Sequence, residues 1–304
     1  MAPEIKNVAL AGPSGSLGSH ILRALLAHNL FDVTVLVRKP RTDLPSNVKV
    51  KVVDFDSVAS LSEALKDKDA LVDATSNPAD PTLSIRLIDA AVAAGVYRIL
   101  PAEFSSDPEN SKARALPPFQ GKSQAYTYIQ KQGRENKITW TAVSNHALFD
   151  WGLRMGFVGI DLAGKKIDYM NDGTLVIPWT LMSSVGTAVA NILLKPEETK
   201  NRVCYIYDIR KSQKEVADLA KSALGNEGWQ EQKSDMGKVL EEAVTELQAG
   251  NVTFKVIGDM IRFSISTPGF VEVPEKDDNE LLGVKPLSDE EVKQSIKQIA
   301  SELL

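Results

Sequence analysis

Two periodicities of apolar and polar residues alternate along the first half of the chain. Short runs rich in Val, Ile and Leu occur at 7–12 (NVALAG), 33–39 (VTVLVRK), 48–55 (VKVKVVDF), 70–76 (ALVDATS) and 97–104 (YRILPAEF). Between them, apolar residues fall at helical spacing over 16–29, 60–68 and 82–95, the last stopped by Gly95. Continuous apolar strands joined through helices predict a parallel sheet covered on both faces. Right-handed crossovers make such a sheet doubly wound. After a polar loop at 107–119, Pro117 and Pro118 are placed to open a helix running to about Asn136. A sixth strand and its exit follow at 138–149.

Beyond Asp150 the pattern loosens. The stretch KKIDYMNDGTLVIPW predicts two small strands about a turn at Asn171–Gly173, and MSSVGTAVANILLKP a helix stopped by Pro196. RVCYIYDI reads as a late strand returning to the main sheet. Helices are expected over SQKEVADLAKSALG, SDMGKVLEEAVTELQAG and SDEEVKQSIKQIASELL. Two of them open with capping boxes, Ser212 with Glu215 and Ser288 with Glu291. The expected fold is α/β: a doubly wound parallel sheet of the Rossmann type with a smaller, mainly helical C-terminal substrate lobe. Residues 1–150 would form the dinucleotide-binding domain, with 181–209 returning to it. Residues 151–180 and 210–304 would form the substrate-binding lobe.

Bulk properties narrow the function classes. A chain of 304 residues can bury a large core. Its formal net charge of −5 argues against a nucleic-acid partner. A single cysteine, Cys204, excludes an intrachain disulfide, and the three histidines lack zinc-like spacing. No apolar run is long enough for a bilayer, and the N-terminus has no signal-peptide pattern. A cytoplasmic protein, monomeric or weakly homo-oligomeric and away from membranes, is expected.

The sequence ALAGPSGSLGSHILRALL places Gly12, Gly15 and Gly18 between the first strand and the first helix. That context gives a G-x-x-G-x-x-G turn its meaning. The first glycine allows the tight turn, the second lets the backbone approach a pyrophosphate, and the third lets the helix pack closely. Ser14, Ser16 and Leu17 line the same turn. An acid at the end of the second strand would hold the ribose hydroxyls of NAD. Asp32 precedes that strand, at the wrong end, whereas the right end reads VRKPR. Arg38 and Lys39 suit the 2′-phosphate of NADP, and Arg41 is too distal to be assigned. Ligands bind outside the carboxyl ends of such strands. Asp54 and Phe55 are therefore expected near the adenine, and Thr75, Ser76 and Asn77 near the ribose and pyrophosphate. Glu103 and Phe104 are expected near the nicotinamide.

FQGKSQAYTYIQ carries a lysine four residues before a tyrosine, so the tyrosine acid of ordinary short-chain reductases is missing from this helix. Lys122 and Tyr126 share one helix face. A lysine held beside a positive helix end and a cofactor could donate or relay a proton. The segments GPSGSLG, VLVRKP, LPAEFSSD, FQGKSQAYTYIQ and TWTAVSNHALF resemble the NmrA-like and isoflavone-reductase-like family of atypical short-chain reductases. The resemblance covers most of the chain and is strongest to about residue 150. It implies that Lys122 is functional, that Phe104 helps form the nicotinamide wall and that Asn145 lines the pocket. It also implies NADPH/NADP+ as cofactor and small aromatic or related secondary metabolites as substrates. The basic residues that often follow the lysine in the plant reductases are replaced here by Tyr126 and Thr127. The acidic residue common before the Gly186 position is absent.

The resulting expectation is an NADPH-dependent reductase of a small aromatic or conjugated substrate. Lys122 would assist proton transfer and bind near the cofactor, with His146 and Tyr126 as further candidates for acid–base work. His146, Phe149, Trp151 and Trp179 are expected to line the substrate pocket. The alternative is a non-catalytic, NADP(H)-sensing regulator acting through a protein partner.

Overall fold

The computed structural model describes residues 3–76 and 80–303. The chain begins with β1 (Asn7–Ala11), α1 (Ser16–Ala27), β2 (Asp32–Val37), β3 (Lys49–Val52) and α2 (Val58–Leu65). It continues through β4 (Ala70–Asp73), α3 (Leu83–Ala93) and β5 (Arg98–Leu100). A short α4 (Ser111–Arg114) precedes α5 (Gln120–Arg134) and β6 (Thr139–Ser144). Pro117 and Pro118 occupy a separate 3-10 turn, so α5 starts only at Gln120.

The strands form a seven-stranded sheet in the order β11-β6-β5-β4-β1-β2-β3, where β11 is Arg202–Tyr205. Each neighbouring pair in it is parallel. Alternation along β1 shows how both faces are buried. Val8 and Leu10 pack with Ile21 and Leu25 of α1, and with Val185 and Val189 of α7 (Met182–Leu194). Ala9 and Ala11 face Leu61 and Leu65 of α2, Leu87 of α3 and Ile129 of α5. The strand order reverses between β1 and β4, which makes the carboxyl ends of these two strands the switch-point crevice.

Arg98 at the start of β5 is fully buried. Its guanidinium donates to the hydroxyls of Thr139, Thr141 and Thr199 and to Pro196 O. This cation, held by dipoles, ties the return segment 196–199 to the central strands.

Most of the remaining elements build the lobe, whereas residues 279–284 return to the sheet core, where Leu282 and Val284 pack beside α7. In chain order the elements are β7 (Ala147–Leu148), α6 (Phe149–Arg154), β8 (Ile160–Asp161), β9 (Lys166–Met170), β10 (Val176–Thr180) and β12 (Ile209–Ser212). After them come α8 (Gln213–Leu224), β13 (Gln230–Ser234), α9 (Met236–Gln248), α10 (Phe254–Ser266), α11 (Asn279–Leu282) and α12 (Asp289–Leu303). Both capping boxes form, Ser212 with Glu215 and Ser288 with Glu291. The lobe is less purely helical than its sequence suggests. The two strands flanking Asn171–Gly173 do not pair with each other. Instead β9 joins β13 and β8, while β10 joins β12 and β7. No helix among the described residues is long and apolar enough to cross a membrane.

Two carboxylates from outside α7 cap its N-terminus. Asp208 accepts from Leu181 N at 2.7 Å and from Ser184 Oγ at 2.6 Å, and Asp150 accepts from Met182 N at 3.1 Å. Burial pushes the Asp208 carboxyl up to about 6 despite these donors, and the nearby Asp150 adds to the rise. The folded state therefore favours protonated Asp208. Its contribution to stability is full below the ordinary carboxylate range and is lost as pH rises through about 6. Asp208→Asn keeps an acceptor without the charge. Between pH 4 and 7 the wild type is expected to lose up to about 3 kcal/mol relative to this variant. Urea unfolding of both proteins at each pH measures the difference.

Candidate active site

β1 delivers the chain to Gly12, whose φ is +79°. A Cβ on Gly12 would lie 2.6 Å from Ala74 O, and one on Gly18 only 1.9 Å from Gly12 O. These two glycines are required by the contact between the turn, the exit of β4 and α1. Gly15 differs. It caps α1 with ordinary extended backbone, and a Cβ there would meet only Gly12 O at 3.6 Å. The chain's own packing does not require a glycine at this position, so the missing side chain leaves clearance in front of α1. Among the described residues no side chain caps α1, and no acid occupies its first turn. Its first amides are therefore free to meet an anion, with the helix dipole behind them. Ser14 and Ser16 are exposed beside this seat and Leu17 is half-buried.

At the ends of β2 and β3 a cavity of about 900 Å³ is lined by Arg38, Asp54, Phe55, Ser76 and Arg86, among others. The Arg38 guanidinium stacks 5.2 Å from the centroid of the Phe55 ring. Among the described residues no carboxylate pairs with Arg38 or Lys39, and both are exposed. Asp32 lies at the opposite end of β2, in register with Asn7 and 3.4 Å from Lys49 Nζ. The pairing of Arg86 explains the position of Phe55: its Nε donates to Phe55 O at 2.9 Å, and its other nitrogens hold Asp80, Asp56 and Thr82.

Arg41 also reaches the glycine turn, donating to Ser14 Oγ at 3.1 Å while paired with Asp43. Counting along the chain makes it look too distal, because the loop after β2 folds back over the turn. Asp54 accepts the amide of Asp56. Thr75 spends its amide and hydroxyl on Asp73, which is buried and also takes the Ser84 hydroxyl. Asn77 lies outside the described residues.

The exit of β5 holds a charged cluster. Glu103 is 1% exposed and its Oε2 accepts from Arg114 Nη2 at 2.7 Å, so the carboxylate points into the protein and not into an open strand end. Phe104 is half-buried against the sheet core. Lys122 on α5 reaches back and donates to Ala102 O. Burial lowers its proton affinity, Glu103 and Asp73 oppose that shift, and Arg114 reinforces it. Lys122 is thus an amine that releases its proton more easily than a surface lysine.

Tyr126 is turned away from this chemistry. Its ring packs edge-on against Trp140 and its hydroxyl donates to Glu109. Burial and that acceptor raise its proton affinity, which makes it a poorer acid. His146 sits where the chain leaves β6, with φ of +53°. Burial pushes its imidazole down to about 4, so it is neutral at ordinary pH. Its Nδ1 and the Oδ1 of neighbouring Asn145 are buried without partners among the described residues.

The expected aromatic wall does not form as a wall. Phe149 and Trp179 are fully buried and pack edge to face inside the lobe core. The exit of β6 becomes β7, which pairs with β10 and turns these rings inward. The indole N–H of Trp179 is satisfied there by Lys211 O at 2.8 Å. Trp151 is half-buried and stacks on Phe157, on the same lobe.

The model of the NmrA-like family matches residues 4–275. A curated relative, the oxidoreductase aprR of Aspergillus flavus, is 30% identical over 249 residues, covering 81% of this chain and 82% of its own. The oxidoreductase poxI of Penicillium oxalicum is 25% identical over 299 residues, covering 95% and 93%. Among solved structures, AtPrR2 with NADP+ and (+)pinoresinol superposes with a TM-score of 0.77 at 19% identity, covering 98% of this chain and all of its own.

The glycine turn separates folding from binding. Gly18→Ala is expected to cost about 1–3 kcal/mol or more of stability, because backbone must move. Gly15→Ala is expected to leave the melting temperature unchanged and to weaken NADP+ about tenfold. Thermal unfolding and titration calorimetry on the two variants report each effect separately.

Proposed function

The chain belongs to the NmrA-like family, and from that membership we propose an NADPH-dependent reductase that acts on a small aromatic or conjugated substrate, with Lys122 assisting proton transfer. One observation carries this reading. Lys122, an amine of lowered proton affinity, is held at the same sheet edge as an open anion seat and an arginine that no carboxylate pairs among the described residues. The aprR and poxI relatives are oxidoreductases, and AtPrR2 has been solved with a nicotinamide cofactor and an aromatic compound.

The residues fit NADPH. The amides opening α1 and the clearance at Gly15 would take the pyrophosphate. Arg38, backed by the Phe55 ring, would take the 2′-phosphate with its planar fork, and Lys39 would add charge. Arg41 would border the same phosphates from the far side of Ser14. Phe104 and Asn145 would border the nicotinamide. When bound, NADPH supplies the hydride.

The chain's own work is to orient, to exclude water and to move a proton. As hydride reaches an electrophilic carbon, negative charge develops on the substrate's oxygen or its conjugate. Lys122 stabilises that charge and donates the proton, directly or through water. A lowered proton affinity eases the donation. Neutral His146 offers a hydrogen bond without a charge. The lobe over the strand ends, including residues 146–180, would shape the substrate pocket. A nucleotide-sensing regulator would need the same anion seat but no proton donor, so Lys122 favours the enzyme.

Purified protein is expected to oxidise NADPH with members of a panel of aromatic ketones, enones and benzylic ethers. Lys122→Ala should lower kcat by about 10²-fold or more while NADPH still binds. Tight NADPH binding with no turnover across the panel would instead favour the regulator. Arg38→Ala should weaken NADPH by about tenfold and leave NADH nearly unchanged, since only the 2′-phosphate is lost. Equal weakening of both cofactors would remove Arg38 from that role.

A further inference from the structure

The cavity at the ends of β2 and β3 carries more carboxylates than cations on its walls. Among its described lining residues Asp54, Asp56 and Asp80 are acids, and Arg38 and Arg86 are the cations. A phosphate monoester such as the 2′-phosphate of NADP carries about −1.5 to −2 charges near neutral pH. Arg38 is in place to meet it, but the three carboxylates oppose it. Charges lining one cleft act on each other more strongly than charges across open solvent.

Arg86 takes up two of the three acids. It stands in the first turn of α3, where a cation opposes the helix dipole and does nothing for the helix itself. Its Nη2 pairs with Asp80 Oδ2 and, at 3.2 Å, with Asp56 Oδ1. Its Nη1 donates to Thr82 Oγ1 at 2.7 Å and to Asp80 Oδ1 at 3.4 Å, so both Asp80 oxygens are gripped. Its Nε donates to Phe55 O at 2.9 Å, and the Phe55 ring stacks with the Arg38 guanidinium. One planar fork thus ties the segment before α3 to the turn after β3, and both are walls of the cavity. The Asp56 side chain is 88% exposed, so solvent screens its pair. The Asp80 side chain is only 26% exposed, and the Arg86 fork and the Thr82 hydroxyl hold its carboxyl down at about 2. Asp80 is therefore a fixed negative charge on the cavity wall, matched by Arg86.

Resting on the reading of this cavity as the adenosine end of an NADPH site, we propose that Arg86 is a specificity-determining positioning residue: it cancels the charge of Asp80, and less strongly that of Asp56, so that the cavity accepts the 2′-phosphate beside Arg38. Arg38 supplies the attraction and Arg86 removes the repulsion. NAD has only ribose hydroxyls at this place, and a free carboxylate nearby accepts hydrogen bonds from hydroxyls. Loss of Arg86 therefore penalises NADP more than NAD.

Calorimetric titration of NADP+ and of NAD+ into the cofactor-free protein tests this. The wild type is expected to bind NADP+ the more tightly. Arg86→Met occupies a similar volume without charge and should cut the ratio of NADP+ to NAD+ affinity about tenfold. Arg86→Met with Asp80→Asn removes the stranded carboxylate as well and should recover most of that ratio. A staple between two loops would not be restored this way, because the double variant has no more bonds across the cavity than the single one. Asp80→Asn alone leaves Arg86 with charge to spare and should raise the ratio, a measurement that stands even if Arg86→Met does not fold. Equal losses for both nucleotides in a folded Arg86→Met, a double variant no better than the single one, or an unchanged ratio in Asp80→Asn overturns the proposal. A wild type that binds neither nucleotide removes the cofactor reading and this role with it, whereas a wild type that prefers NADP+ with an Arg86 variant of unchanged ratio removes only the role of Arg86.

Discussion

Strands that run parallel must all end at the same edge of the sheet, and each must be reached by a crossover that covers one face. That constraint governs the rest of this molecule. It buries β1 on both sides, so Val8 and Leu10 serve one core while Ala9 and Ala11 serve the other. It also brings together, at one edge, loops that are far apart in the chain. The turn at Gly12, Arg38 after β2, Phe55 after β3, Asp73 ending β4 and Glu103 after β5 share a border for no other reason. The crevice opens where the winding reverses, between β1 and β4.

Charge burial is the second theme. Several charged groups are almost without solvent contact, and Arg98, Asp208 and Glu103 show three ways of handling that. Among the described residues Arg98 is held by hydroxyl and carbonyl dipoles, and it fastens the return segment to the central strands. Asp208 is satisfied by the Leu181 amide and the Ser184 hydroxyl, yet desolvation still outweighs them and raises its proton affinity. Glu103 is paired on one oxygen and open on the other. The first two groups join parts of the fold. The third lies at the exit of β5, where burial also depresses the proton affinity of Lys122.

The lobe is attached through α7. This helix packs on α1, beneath the anion seat, and its N-terminus takes Asp150 and Asp208 from the lobe side. The same joint turns Phe149 and Trp179 inward, which is why aromatic residues near a strand end became core and not pocket wall.

The sequence by itself determined the α/β fold, the order of strand and helix through β6, the anion-binding turn and the absence of a tyrosine acid on α5. Those features are local: they depend on apolar periodicity, glycine spacing and helix boundaries, each read within some twenty residues. The capping boxes at Ser212 and Ser288 were legible for the same reason. Tertiary structure alone decided which small strands pair in the lobe, because short strands without strong alternation have no register of their own. It alone brought Arg41 to Ser14 and Arg114 to Glu103, contacts between loops whose courses no local pattern records. It also set the proton affinities of Lys122, His146 and Tyr126, since desolvation depends on what surrounds a group and not on which residues adjoin it in the chain.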